Sequence, residues 1–304
     1  MRTLIASAIV LAALPLAACN DSLFGNDAKP DLSQSGTTPG THRQYGTPVK
    51  VGDGQARSYV VLDAKNGNAP IEVGVALSER AMDGLPAPMD HGGGDGGHAH
   101  ADSHEFILPL PAQNPTPFKL VELNWNPAGH EPPGVYDIPH FDFHFYTITK
   151  AERDAILPSD PQYAAKANNM PAADLVPPFV ALPLPPGVPP VAAAVPRMGV
   201  HMSDMRSPEI QGLLGNPQGF KPFTTTFIHG AWDGKVTFFE PMITRAYLMA
   251  KKTETDPAKR DETIALPTAQ RYSPAGHYPS AYRITWDAQA KEYRVALTQL
   301  AKRN

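Results

Sequence analysis

The chain has 304 residues, 30 acidic against 26 basic side chains, a formal charge of −4 and one cysteine. A lone cysteine makes no disulfide within the chain, so stability must come from packing. The mild acidity, with no basic cluster anywhere, argues against a nucleic-acid partner.

In chain order, Met1-Arg2-Thr3 precedes an apolar run from Leu4 to Ala18. A positive start, a short apolar core and small residues before a cut form a secretory signal over residues 1–18. The run is too short to span a bilayer comfortably, and Pro15 breaks it. Leu16-Ala17-Ala18-Cys19 resembles the lipobox of bacterial lipoproteins. The resemblance implies cleavage before Cys19 and acylation of its thiol, palmitate included, so the membrane partner is met through a lipid anchor. By resemblance to known sorting, Asn20 in place of an aspartate leans toward the outer membrane. The domain would then face the periplasm or the surface of the cell envelope.

Residues 19–54 are polar and aperiodic, which predicts a flexible tether. A β-rich domain is expected over 55–304. Ala56–Asp63 and Pro70–Leu77 alternate and flank Asn66-Gly67-Asn68, which predicts a hairpin. Ser78 is a cap candidate for a short helix over Glu79–Met82, ended by Gly84 and Pro86. Residues 89–104 form a glycine-rich loop carrying His91, His98, His100 and His104. Two readings stay open for it: a weak surface metal-scavenging tract, or polar filler between strands. The glycines argue against a rigid site, because ordering them costs entropy.

Glu105–Leu110 and Phe118–Trp125 are the next strands. The stretch Gly129–Tyr146 follows, with His130, His140 and His144. From His140 to Tyr146 it alternates strictly: His140, Asp142, His144 and Tyr146 on one face, Phe141, Phe143 and Phe145 on the other. Thr149 is a cap candidate for a helix over Lys150–Ile156, and Gln162–Ala167 suits another helical turn. Residues 177–196 hold eight prolines in twenty positions, which forbids helix and interior strand. This run is either a linker between two domains or a strap across one, the strap being favoured. Met198–Asp204 precedes the clearest hairpin, Phe223–His229 and Lys235–Thr244 around Trp232-Asp-Gly-Lys235. Arg245–Lys251 suits a strand or a helical turn, and residues 252–262 read as a charged loop. A last hairpin joins Tyr282–Trp286 to Glu292–Leu297. Short strands with turn signals between them and few helices predict a mainly β fold, an antiparallel β-barrel or sandwich with long proline-rich loops.

The blocks Gly129–Gly134, Pro139–Tyr146, Met198–His201 and Glu240–Thr244 together resemble a family of bacterial envelope proteins catalogued as a domain of unknown function. The resemblance runs over roughly residues 55 to 250. It implies a secreted β-rich protein and brings no activity with it.

Strand geometry limits what the polar row can bind. Residues two apart stand about 6.6–6.8 Å apart and residues four apart about 13 Å. One ion therefore cannot hold both His140 and His144 unless a bulge intervenes, whereas Asp142 can join either. His140-Phe-Asp142 with a distant histidine, His201 or His229, looks like the two-histidine, one-carboxylate set of non-haem iron oxygenases. A cupin comparison is weaker, since its glutamate is missing at the usual spacing. His130, His201 and Glu240 are the further candidates, and the favoured set is Asp142 with one histidine of its strand, completed from the later segments. No serine elbow, phosphate loop or zinc-finger spacing occurs. Three readings follow: a lipoprotein binding a divalent transition metal (zinc, iron, manganese or copper) or a small-molecule ligand; a metal-dependent enzyme of cupin or oxygenase type; or a structural module whose polar row is a hydrogen-bond ladder. Oligomeric state is not legible.

Overall fold

The computed structural model describes residues 40–88 and 103–304. The signal segment, Cys19 and the loop histidines His91, His98 and His100 lie outside the described residues. Strands β1 (Thr41–Tyr45), β2 (Val49–Val51), β3 (Gly54–Asp63) and β4 (Ala69–Ser78) come first. The predicted β3–β4 hairpin forms: Asp63 caps a short turn, and Gly67 and Asn68 take φ of 60° and 59°, the left-handed backbone that such residues tolerate. β1 and β2 both pair with β3. The first described strands thus fall within the stretch expected as tether. Thr41–Tyr45 is a polar, half-buried edge strand, so it lacks the apolar alternation by which a strand is read.

The chain next builds β5 (His104–Leu108), β6 (Leu120–Asn126), β7 (His140–Tyr146), the two-residue strands β8 (Val180–Ala181) and β9 (Ala194–Val195), β10 (Gly199–Asp204), β11 (Thr225–Trp232) and β12 (Lys235–Thr244). It closes with β13 (Asp261–Ala265), β14 (Gly276–Tyr278), β15 (Ala281–Asp287), β16 (Glu292–Thr298) and β17 (Ala301–Arg303). The first sheet runs β1-β3-β4-β16-β15-β13 with β2 on β3, and the second runs β5-β6-β7-β12-β11-β10-β8 with β9 on β10. β14 and β17 form a separate ribbon. Both large sheets are antiparallel and open, so of the two predicted architectures the fold is the sandwich.

Helices are short. α1 (Lys150–Asp154) starts at a full capping box between Thr149 and Glu152, α2 (Tyr163–Asn168) follows, and α3 (Arg245–Ala250) is capped by Thr244. Residues 252–262 are not simply a loop: they hold the helical turn Pro257–Arg260 and the start of β13. None of the described helices is long and apolar enough to cross a membrane. Within the proline-rich run, β8 and β9 both pair with β10.

The second sheet is buried on both faces. Its inner face sends Phe141, Phe143, Phe145, Leu123, Phe239 and Ile243 into the core shared with Val60, Val75, Leu77, Val295 and Leu297 of the first sheet. Each such side chain contributes roughly 1.5–3 kcal/mol by leaving water. On its outer face Leu120, Tyr146, Ile228, Phe238 and Met242 pack beneath Val135, Tyr136, Val195, Met198, Ile210 and Phe223. Those covering residues come from the long connections between strands. A polar row on that face is therefore sealed from water.

Candidate metal centre

β7 places His140, Asp142, His144 and Tyr146 on the outer face because its phenylalanines take the inner one. β6 sets Asn126, Asn124 and Glu122 opposite His140, Asp142 and His144. β12 sets Thr244 and Met242 opposite His140 and Asp142 on the other side, and Glu240, two residues before Met242, falls level with His144. His201 of β10 reaches the same face across β11, where Gly230 lies opposite it. The 127–139 connection folds over the row: His130 N–H donates to Tyr136 O at 3.0 Å, and the His130 ring stands 4.6 Å from that of His140.

Two groups of donors result. In the first, His140 Nε2 is 3.1 Å from Asp142 Oδ1 and His130 Nε2 is 3.7 Å from Asp142 Oδ2. In the second, His144 Nε2 is 3.4 Å from Glu240 Oε1 and His201 Nε2 is 4.0 Å from Glu240 Oε2. Within each group one atom of every residue lies within 4.8 Å of the others. Atoms bound at about 2.0–2.2 Å to one tetrahedral ion stand about 3.3–3.6 Å apart, so each group needs little movement to close on an ion.

The ring orientations suit metal binding. His140 Nδ1 donates to Ile138 O at 2.7 Å, His130 Nδ1 to Glu131 O at 2.7 Å, and His144 Nδ1 to Asn124 Oδ1 at 3.0 Å. With an oxygen acceptor at each Nδ1, that nitrogen carries a proton, and Nε2 is the atom facing each carboxylate. Asn126 Nδ2 donates to Asp142 Oδ2 at 2.7 Å, steadying the carboxylate from behind. His140 and His130 hydrogen-bond the buried Asp142 carboxylate. By contrast His144 Nε2 and both Glu240 carboxylate oxygens are buried and have no hydrogen-bond partner. An unsatisfied buried polar atom costs about 1–3 kcal/mol, so three together call for a partner such as a water or a cation.

Electrostatics agree in part. Burial pushes His144 down to about 3 and His201 down to about 4, so both rings are neutral ligands. Burial alone would raise Asp142, but His140 and His130 outweigh it and hold the carboxyl well below its ordinary value. Burial, with Asp142 and Glu122 adding repulsion, holds Glu240 well above its ordinary value. Binding a cation there works against this rise, because the ion favours the ionised carboxylate. Glu122 is pushed up to about 7 by burial, although Arg153 Nη2 from α1 stands 2.5 Å from it.

The spacing limit on β7 holds: His140 and His144 fall into different groups, and Asp142 joins His140. The third member of Asp142's group is His130, from the preceding connection rather than from the later segments. Glu240 and His201 instead gather around His144. His229 joins neither group. It sits on the opposite face of β11, its ring 5.0 Å from Phe227 and 5.4 Å from Phe239, and lines a cleft with Tyr272 and Tyr278. His104 opens β5 and bonds Ala87 O at 2.9 Å, so it belongs to a strand and not to the glycine-rich loop. Sequence reading passed over Glu122, Asn124 and Asn126. Their signal is the same alternation as in β7, polar at every second position of Leu120–Asn126.

A family model described as TTHB210-like, "Hypothetical protein TTHB210", matches residues 66–125. That segment runs from the β3–β4 turn into β6 and stops short of the four blocks on which the resemblance above was read. No curated protein and no solved structure matches the chain. What the comparison supplies is similarity, over a minority of the chain, to a family whose description carries no activity.

Proposed function

We propose that the protein is an envelope-anchored lipoprotein whose β-sandwich binds a divalent transition-metal ion at His130, His140 and Asp142. One observation carries this reading: His140 Nε2 faces Asp142 Oδ1 at 3.1 Å and His130 Nε2 faces Asp142 Oδ2 at 3.7 Å, two imidazoles converging on one buried carboxylate. Imidazole and carboxylate donors suit zinc, copper or iron, and the carbonyl acceptors behind Nδ1 keep the rings oriented. Acylation of Cys19 supplies the anchor.

A hydrogen-bond ladder accounts for Asp142, which His140, His130 and Asn126 bond, but leaves His144 Nε2 and both Glu240 oxygens unpaired. The oxygenase reading draws support from the two-histidine, one-carboxylate composition of each group. His140, Asp142, His144 and Glu240 are nevertheless 0% exposed, which favours holding an ion over turning over a substrate. The cupin comparison draws nothing from the open sheets.

The test is metal analysis of the Cys19→Ser protein and its variants. Bound metal should be lost in His140→Ala and Asp142→Asn and kept when His91, His98, His100 and His104 are all replaced. Metal that vanishes only with the four-histidine replacement would place binding in the glycine-rich loop and sink the proposal. Stoichiometric iron or manganese would move the balance to the enzyme; zinc or copper supports binding.

A further inference from the structure

We infer that the outer face of the second sheet holds two metal ions side by side, the second at His144, His201 and Glu240. This rests on the metal-binding reading above and extends it from one ion to a pair.

The donors do not compete. Both oxygens of Asp142 are directed at one pair of histidines, Oδ1 at 3.1 Å from His140 and Oδ2 at 3.7 Å from His130. Both oxygens of Glu240 are directed at another pair, Oε1 at 3.4 Å from His144 and Oε2 at 4.0 Å from His201. Each carboxylate spans its own two histidines. A single ion moved toward either pair abandons the other, because residues two apart on a strand stand about 6.6–6.8 Å apart.

The second group holds buried polar atoms that its own contacts leave unpaired. His144 Nε2 and the two Glu240 oxygens are buried without a hydrogen-bond partner, and Asn124 holds Nδ1 of His144 at 3.0 Å. A cation in the first group cannot satisfy these atoms. The two groups sit two to four residues apart along β7, about 7–13 Å, near enough for unpaired electrons on two ions to couple through space. Three protein donors each leave both ions with at least one position for a further ligand. The pair also differs internally. The first group is the more closely drawn, at 3.1 and 3.7 Å against 3.4 and 4.0 Å, and the second includes His201, whose side chain is 18% exposed where that of His130 is 8%. The second ion is therefore the weaker and the more exchangeable. Both donor sets are nitrogen and oxygen, so the pair takes first-row divalent ions rather than soft monovalent ones.

The experiment uses the full chain in detergent, with His91, His98 and His100 replaced by alanine to silence the loop, stripped with chelator and reloaded with Cu(II) alone. Two ions per chain are expected, with a dipolar signature in the EPR spectrum. Glu240→Gln and His201→Ala should each bring the count to one and abolish that signal, and so should Asp142→Asn. His201 is the least buried ligand of the second group, so its variant keeps the test open if Glu240→Gln fails to fold. One ion per chain, lost in Asp142→Asn and unaffected by His201→Ala and Glu240→Gln, overturns the pair and leaves the single-site reading standing. No stoichiometric ion in the parent protein overturns both. Two ions without a dipolar signature overturn their placement side by side.

Discussion

Phe238 lies across Gly230: a Cβ built on the glycine would stand 2.0 Å from the phenylalanine ring. The two residues are opposite each other in the β11–β12 pairing. From that position the Phe238 ring packs 4.9 Å from His144 and 5.1 Å from His201. A missing side chain on one strand thus lets an aromatic on the next hold two rings of the second donor group. Gly230→Ala should cost about 1–3 kcal/mol through overpacking and weaken metal binding at His144, His201 and Glu240 more than at Asp142. Thermal unfolding followed by metal titration checks both; unchanged stability and binding would show that Phe238 is free to move aside.

Asn126 acts on the first group from behind. Its Nδ2 donates to Asp142 Oδ2 at 2.7 Å. Groups that orient a ligand in this way are typically worth 10–100-fold in metal affinity. Asn126→Ala should therefore lower affinity by roughly that factor without changing which metal is preferred. Competition against a chelator of known affinity measures it, and an unchanged constant would remove Asn126 from the account.

Stability should fall on acidification for a reason outside both metal groups. Burial pushes His229 down to about 4, whereas an unfolded histidine titrates near 6.5. Between these values the unfolded chain binds a proton that the native ring refuses. Native stability contributed by the neutral ring is full above about pH 6.5 and is lost as pH falls toward 4, by up to about 1.4 kcal/mol per pH unit for this residue. Urea denaturation at pH 7, 6 and 5 should show a shallower decline in His229→Phe than in the parent. Equal declines would mean that the ring is protonated in the native state.

Membrane association should depend on Cys19 alone. Cys19→Ser is expected to move the protein to the soluble fraction, because the chain has no basic cluster with which to hold an anionic surface. Fractionation with a high-salt wash decides this, and a variant that stays on the membrane through the wash refutes the lipid anchor.

Much of the architecture was legible because it is local. Alternation from His140 to Tyr146 separates the two faces of β7, and Asp233-Gly234 makes the β11–β12 turn with both residues at positive φ. Those features depend on neighbours one to four residues away, and so does the bar on sharing one ion between His140 and His144. Charged or polar edge strands such as β1 and β13 were missed because half-burial leaves no apolar period to detect.

What the sequence determined alone is the row itself: three metal-ligand side chains on one face of one strand, and phenylalanines on the other. Only the tertiary structure decided that the row is buried and how it divides. A polar face on an antiparallel strand ordinarily meets water; here Tyr136, Val195, Met198 and Phe223 from distant connections cover it. His130, His201 and Glu240 reach it from three separate segments, and their partition between Asp142 and His144 follows from strand order and register in the second sheet. That partition depends on pairings between residues tens of positions apart, which no local periodicity encodes, because a strand's pattern specifies its faces but not its neighbours.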